Sequence, residues 1–178
     1  FFFIVCLNMR IGSIPPIGKI LDPFHGYLAL IGSDDPRIIQ TQLTELDKPV
    51  KVIFDELRIP HIFAENEHDL YFVQGYIMAF DRLWQMEFQT HAAAGRLSEI
   101  IGEKALPYDR FQRRIGMGYG AKNSQAAIAE DEEISNLLNA YTAGINAYIS
   151  YLPYDQNPLE YKILDYTPEL WTTIKTSL

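Results

Sequence analysis

The strongest periodic signal along the chain lies between Glu67 and about His91. Set out at 100° per residue from Leu70, Gln74, Asp81, Arg82, Gln85 and Gln89 gather in one arc, while Phe72, Val73, Tyr76, Ile77, Phe80, Leu83, Trp84 and Met86 fill most of the rest. An apolar arc of half the circumference or more predicts a helix covered on several sides, roughly 40 Å long at 1.5 Å per residue. Asn66 offers an N-cap, with Asp69 acting back three residues on as in a capping box, and Gly95 breaks the helix. Glu87 falls in the middle of the apolar arc, near Phe80 and Val73. A buried carboxylate is costly unless a cation or several donors meet it. Arg96, Arg110, Arg113 and Arg114 are the downstream candidates, and the pattern does not choose among them.

Weaker patterns fill in the remainder. KVIFDE (51–56) and HIFAE (61–65), separated by LRIP, read as a β-hairpin. Residues 10–49 read as an extended connector, because Gly12, Pro15, Pro16, Gly18, Pro23, Gly26, Gly32 and Pro36 interrupt any regular element; DPFHG (22–26) reads as a turn. GRLSEIIG (95–102) predicts a short helix closed by Gly102. Residues 103–124 are mixed, and GMGYGAK (116–122) reads as a flexible loop, lacking both the P-loop ending and the dinucleotide spacing. Ile134, Leu137, Leu138, Tyr141, Ile145, Tyr148 and Ile149 recur at steps of three and four, which predicts a helix over 130–152. Glu130–Glu133 form its solvated, dipole-favoured start, and Pro153 stops it. EYKILDYTPELW (160–171) makes an aromatic, partly helical close. The fold class is therefore α+β, mostly helical with one hairpin.

Composition narrows the function classes. At 178 residues and 48% hydrophobic, 13% aromatic, the chain can build a core, as one domain or as part of a larger one. A formal net charge of −8 argues against nucleic acid as a partner. Arg113–Arg114, the single adjacent basic pair, reads as an ion-paired surface or buried pair. The lone cysteine, Cys6, excludes an internal disulfide and a four-cysteine metal site. FFFIVCL (1–7) is too short to span a bilayer, and residues 1–9 read as the end of a signal peptide or membrane anchor, with a buried strand or helix end as the other reading. His25, His61, His68 and His91 show no zinc-hydrolase spacing, and no serine lies in G-x-S-x-G. Pattern alone yields no active site.

The order of motifs says more. DELRIPHIFAEN (55–66), DLYFVQGYIMAFDRLWQME (69–87), GRLSEIIG (95–102) and AYTAGINAYI (140–149), closed by PELW (168–171), resemble the penicillin acylase (penicillin amidase) family over about residues 50–171. Four residues at three places depart from the family's pattern. Arg58 stands where a glycine is usual, Thr90–His91 where Arg-Arg is common, and Lys175 where an acid often follows the late tryptophan. A hairpin turn needing positive φ would strain Arg58.

The resemblance implies an N-terminal-nucleophile hydrolase with a four-layer αββα fold, made as a precursor and cut into two chains. Residues 50–178 would be α-chain sequence, incomplete at its C-terminus, whose partner is the β chain. The nucleophile would be a serine exposed at the β chain's new N-terminus, with its own α-amine (unperturbed pKa about 7.7–8.0) as the base. The substrate would be a small acyl amide, of penicillin or N-acyl-homoserine-lactone type. No catalytic cofactor is implied, and structural calcium would belong to the full protein. Export to the periplasm, or membrane anchoring, is expected. No catalytic, substrate-binding or metal-binding residue is assigned within these 178 residues, and DRLWQME reads as buried scaffold. The alternative function is a non-catalytic, membrane-tethered helical interaction module.

Overall fold

The computed structural model describes residues 5, 7–9, 16–20, 22, 41–153 and 156–178. Most of the apolar start, most of the connector before residue 41 and residues 23–26 of the DPFHG turn lie outside the described residues. A single helical turn, α1, covers Ile17–Ile20. The predicted hairpin is present as β1 (Lys51–Phe54) and β2 (Pro60–Phe63), antiparallel, with Val52 opposite Ile62 and Phe54 opposite Pro60. Asp55 builds its tip. One carboxylate oxygen accepts the N–H of Leu57 at 2.9 Å and of Ile59 at 2.8 Å, and the Asp55 carbonyl accepts the N–H of Arg58 at 3.0 Å. The bond from Ile59 is the main reason the Asp55 carboxyl lies below its usual range. Arg58 has φ 62°, so the turn does require the left-handed conformation, and an arginine adopts it.

The long helix α2 runs Glu67–Ala94, three residues beyond the predicted end, with a kink at Arg82 (φ −144°, ψ 24°). Gly95 closes it in the left-handed conformation (φ 67°, ψ 48°), its N–H and that of Arg96 taking up the carbonyls of the last turn. At its start, the Asn66 side chain accepts the Asp69 N–H at 2.7 Å. The Asp69 carboxylate does not complete a capping box. It accepts the Asn66 side-chain amide at 2.6 Å and the backbone N–H groups of Asp47 and Lys48 at 3.0 Å each, tying the incoming segment to the helix. Burial pushes its pKa up, but these donors together outweigh it, so the net shift is downward.

The second long helix, α6 (Glu132–Tyr151), is capped by Asp131, whose carboxylate accepts the Ile134 N–H at 3.1 Å. It packs along α2. Gly75 and Gly144 face each other's helices at the crossing: a Cβ on Gly75 would collide with the Tyr141 carbonyl oxygen, and one on Gly144 with that of Phe72. Phe72, Val73 and Ala147 form the core on the hairpin side, with Leu43, Leu46, Val52 and Ile62 against them. Ala79, Leu83, Ile145, Tyr161 and Trp171 form the other core cluster.

Between these helices lie α3 (Ser98–Ile101), α4 (Leu106–Ile115) and α5 (Met117–Ile128). The GMGYGAK segment is therefore not a loop. Only Gly116, at φ 84°, serves as a break, while Gly118 and Gly120 continue α5 despite a cost of about 1 kcal/mol per helical glycine. The closing segment holds α7 (Leu159–Leu164) and α8 (Thr173–Thr176), joined by the extended stretch through Trp171. Among the described residues, no helix is long and apolar enough to cross a membrane.

Candidate functional site

Beyond the kink, α2 carries Glu87, His91 and, just past its cap, Arg96 toward the closing segment. Glu87 is 1% exposed. Its carboxylate accepts the Tyr161 hydroxyl at 2.5 Å, the Glu169 N–H at 2.8 Å and the Tyr166 hydroxyl at 3.3 Å, with the Lys175 ammonium at 3.8 Å. None of the four arginines anticipated as its partner is bonded to it. Arg96 pairs with Glu99 at 2.6 Å and with Glu169 at 2.8 Å, and Arg113 donates to the Gly95 carbonyl at 2.9 Å. The cation comes instead from Lys175, which also meets Glu169 at 3.0 Å and the Leu170 carbonyl at 3.0 Å. Thr90 and His91 bring no guanidinium from the helix, and Lys175, on α8, supplies the positive charge.

Electrostatics follow from this packing. The Arg96 guanidinium, followed by Lys175, holds the Glu169 carboxyl down at about 2. Glu99 and Glu169 keep the Arg96 guanidinium more basic than usual. Burial, reinforced by the Glu87 charge, pushes the Tyr161 and Tyr166 hydroxyls well above the ordinary phenol range, so both remain donors. The rings support this arrangement: Tyr161 stacks on Tyr166 at 5.9 Å and meets Trp84 edge-on at 5.1 Å. His91 is 1% exposed, and its Nδ1 lies 3.0 Å from the Glu87 carbonyl oxygen. A carbonyl only accepts, so Nδ1 carries the proton and Nε2 faces the Tyr166 hydroxyl at 3.4 Å.

A second clamp adds to the first. The Asn146 side chain on α6 accepts the Trp171 N–H at 2.7 Å and donates to the Trp171 carbonyl at 3.0 Å, as a paired strand would. Between Glu87, Asn146 and Lys175, the backbone from Glu169 to Trp171 is held by side chains of two helices and its own continuation. Tyr161, Tyr166, Glu169, Lys175 and Asn146 were not identified from sequence as members of this site. Their signal was present only as the aromatic, acidic closing segment and the unexplained Lys175.

Two clusters bring possible metal-ligating atoms within 4.8 Å of one another: Glu87, His91 and Glu169, and Asp47, His68 and Asp69. In the first, Lys175 and Arg96 already supply two positive charges at 3.0 and 2.8 Å from Glu169, which a divalent cation would have to displace. In the second, the buried Asp69 carboxylate already accepts from Asp47, Lys48 and Asn66, and His68 Nδ1 lies 3.2 Å away. Neither fits a metal. Among the described residues, no serine or threonine hydroxyl is hydrogen-bonded to a histidine, so no activated hydroxyl is assembled there. The arrangement anchors the closing segment to α2 and α6.

Comparison with known proteins gives a consistent picture. The family model for penicillin amidase matches residues 49–178. The chain is 39% identical over 127 residues to a penicillin acylase 2 proenzyme from Pseudomonas sp., covering 71% of this chain and 16% of that protein. It is 31% identical to the penicillin G acylase of Escherichia coli, covering 68% and 14%, and 32% identical to the acyl-homoserine lactone acylase QuiP of Pseudomonas syringae pv. tomato, covering 79% and 17%. The chain thus spans about a sixth of the length of the curated relatives it matches. Among solved structures, a thermostable penicillin G acylase from Alcaligenes faecalis superposes with a TM-score of 0.65 at 27% identity, covering 72% of this chain and 68% of that one.

Proposed function

The chain belongs to the penicillin amidase family, and from that membership we propose that it is the supporting segment of an acylase that hydrolyses a linear amide, with the reactive hydroxyl on another part of the same precursor. One observation carries the proposal. The matched stretch fills 68% of the solved penicillin G acylase chain from Alcaligenes faecalis but only 16% of the Pseudomonas proenzyme, so that solved chain is several times shorter than the proenzyme of a relative, as a cut product would be.

In this reading a serine freed at the N-terminus of a second chain attacks the acyl carbon. Its own α-amine takes the hydroxyl proton and passes it to the departing amine; water then releases the acid from the acyl-enzyme. The amine is a base only after the preceding peptide bond is cut, so activity waits for maturation. The segment described here contributes rigidity: α2 and α6 form a platform, and the Glu87 and Asn146 clamps fix the path of the closing segment. The complete protein would have the four-layer αββα architecture, would be exported, and would hold structural calcium outside these residues. The relatives include acylases named for penicillin and for acyl-homoserine lactones, and both classes are candidate substrates.

The test is to express the complete reading frame and follow its maturation by mass spectrometry, alongside hydrolysis of phenylacetyl and long-chain acyl amides. A new N-terminal serine and amide hydrolysis that disappears when that serine becomes alanine are expected. An uncut product without amidase activity, or activity from residues 1–178 alone, would refute the proposal.

A further inference from the structure

Nothing in the local sequence bends α2 at Arg82. Sharp helix bends arise at proline, at glycine and serine, at π-turns, or where a group enters the backbone ladder. From Tyr76 to Phe88 there is no proline, glycine or serine, and the chain is α-helical on both sides of the bend. Ala79, Leu83, Gln85, Met86 and Glu87 are all good helix formers. The Arg82 side chain is exposed and donates to Gln85 at 3.2 Å, a contact between positions three apart that a straight helix also allows. The backbone nevertheless leaves the helical region there, at φ −144° and ψ 24°.

Contacts on either side account for the bend. The piece before Arg82 is locked to α6 where Gly75 and Gly144 bring the backbones together. The piece after it is held by the closing segment: Glu87 takes the Tyr161 hydroxyl and the Glu169 N–H, and Trp84 meets the Tyr161 ring edge-on at 5.1 Å. The closing segment is itself fixed to α6, because Asn146 pairs with both backbone groups of Trp171, two residues beyond Glu169. It is therefore a strut running from α6 to the second piece of α2. That second piece carries α3 and α4 with it. Arg113 donates to the Gly95 carbonyl, and the Asp109 carboxylate accepts the N–H groups of Leu97 and Ser98 at 2.8 Å each. Asp109 is the buried residue of α4, whose Tyr108, Phe111 and Ile115 face outward, so these bonds fasten α4 to the end of α2.

We propose that Arg82 is a hinge whose angle is set by the closing segment acting as a strut. With the Glu87 bonds made, the second piece of α2 is drawn to the closing segment; with them broken, α2 relaxes toward a continuous helix and takes α4 along. From Leu83 to Ala94 the arm is about 18 Å long at 1.5 Å per residue, so a change of about 20° moves its end by about 6 Å. The device couples the path of the closing segment to the position of α4, as a hinge at a single residue can. It is built from this chain's own contacts and does not depend on the acylase reaction.

Distance measurement by double electron–electron resonance on the full-length protein tests this. With the native cysteines replaced, spin labels go on Gln74→Cys, before the hinge, and Arg110→Cys on α4, both exposed positions. Glu87→Leu, which removes the clamp but keeps an apolar side chain, should shift the mean distance by about 6 Å, the displacement of the arm. Glu87→Gln and Asn146→Ala, each loosening one end of the strut, should shift it in the same direction by less, and they give the reading if Glu87→Leu does not fold. Arg82→Ala should leave the distance within about 1 Å of the starting value, because the bend is not local in origin. Unchanged distances in Glu87→Gln and Asn146→Ala, with the far-ultraviolet circular dichroism of a folded protein, would overturn the proposal. So would a shift in Arg82→Ala as large as that in the Glu87 variants.

Discussion

Before the kink at Arg82, α2 meets α6 through Gly75 and Gly144, where side chains are missing and backbone lies against backbone. After it, the same helix meets the closing segment through Glu87, His91 and Arg96, where charged and hydroxyl groups fill the space. The first contact depends on there being no Cβ, so its specificity is steric and indifferent to pH. The second depends on every donor finding its acceptor, so its specificity is electrostatic and titratable. A helix held in both ways can position a segment at one end while remaining locked at the other.

Removing Glu87 should have the largest effect on the polar end. Glu87→Ala leaves Tyr161, Tyr166 and the Glu169 N–H without their acceptor and should destabilise by about 3–5 kcal/mol, the range for breaking a buried charge pair. Urea unfolding followed by tryptophan fluorescence would measure it, since Trp84 and Trp171 both lie near the site. Glu87→Gln, which keeps an acceptor, should cost less; an equal cost would show that the carboxylate's charge is the controlling feature. At the steric end, Gly144→Ala should cost about 3 kcal/mol, because the Phe72 carbonyl cannot yield without separating the helices. That loss should be the same at pH 4 and pH 7, and a pH-dependent loss would undo the contrast.

Acid titration sharpens it further. The Glu169 carboxyl lies at about 2 in the folded protein against 4.5 when free. Its folded pKa is the lower one, so its contribution to stability is present above about pH 4.5 and is lost as pH falls through about 2. Midpoints of urea unfolding measured from pH 6 down to 2.5 should therefore fall, and Glu169→Gln should flatten that dependence. The smallest expected effect lies in the hairpin: Arg58→Gly should stabilise by about 0.5–1 kcal/mol by relieving a left-handed arginine, measured as a rise in the unfolding midpoint.

Much of this was legible one element at a time. The hairpin, both long helices, the Gly95 cap and the buried position of Glu87 follow from periodicity and local chemistry, and the strain at Arg58 followed from a missing glycine. Other features were misread for specific reasons. GMGYGAK carries three glycines, but a glycine inside a helix leaves the same sequence trace as one in a loop. Arginines near Glu87 in sequence were sought as its partner, whereas the donors come from residues 74 to 88 positions away. Asp69 is three residues beyond a cap, the spacing of a capping box, yet its oxygens turn to a segment more than twenty residues upstream.

By itself the sequence determined the hairpin, the two long helices with the Asn66 and Gly95 caps, the burial of Glu87, and which family the motif order resembles, because these depend on neighbours within a turn or two. Only the tertiary structure decided that Lys175 and two tyrosines satisfy Glu87, that Gly75 and Gly144 mark a helix crossing, and that α4 faces its apolar side outward. Those outcomes depend on which distant elements are brought together, and a partner's charge or a collision's location has no signature until the chain has closed on itself.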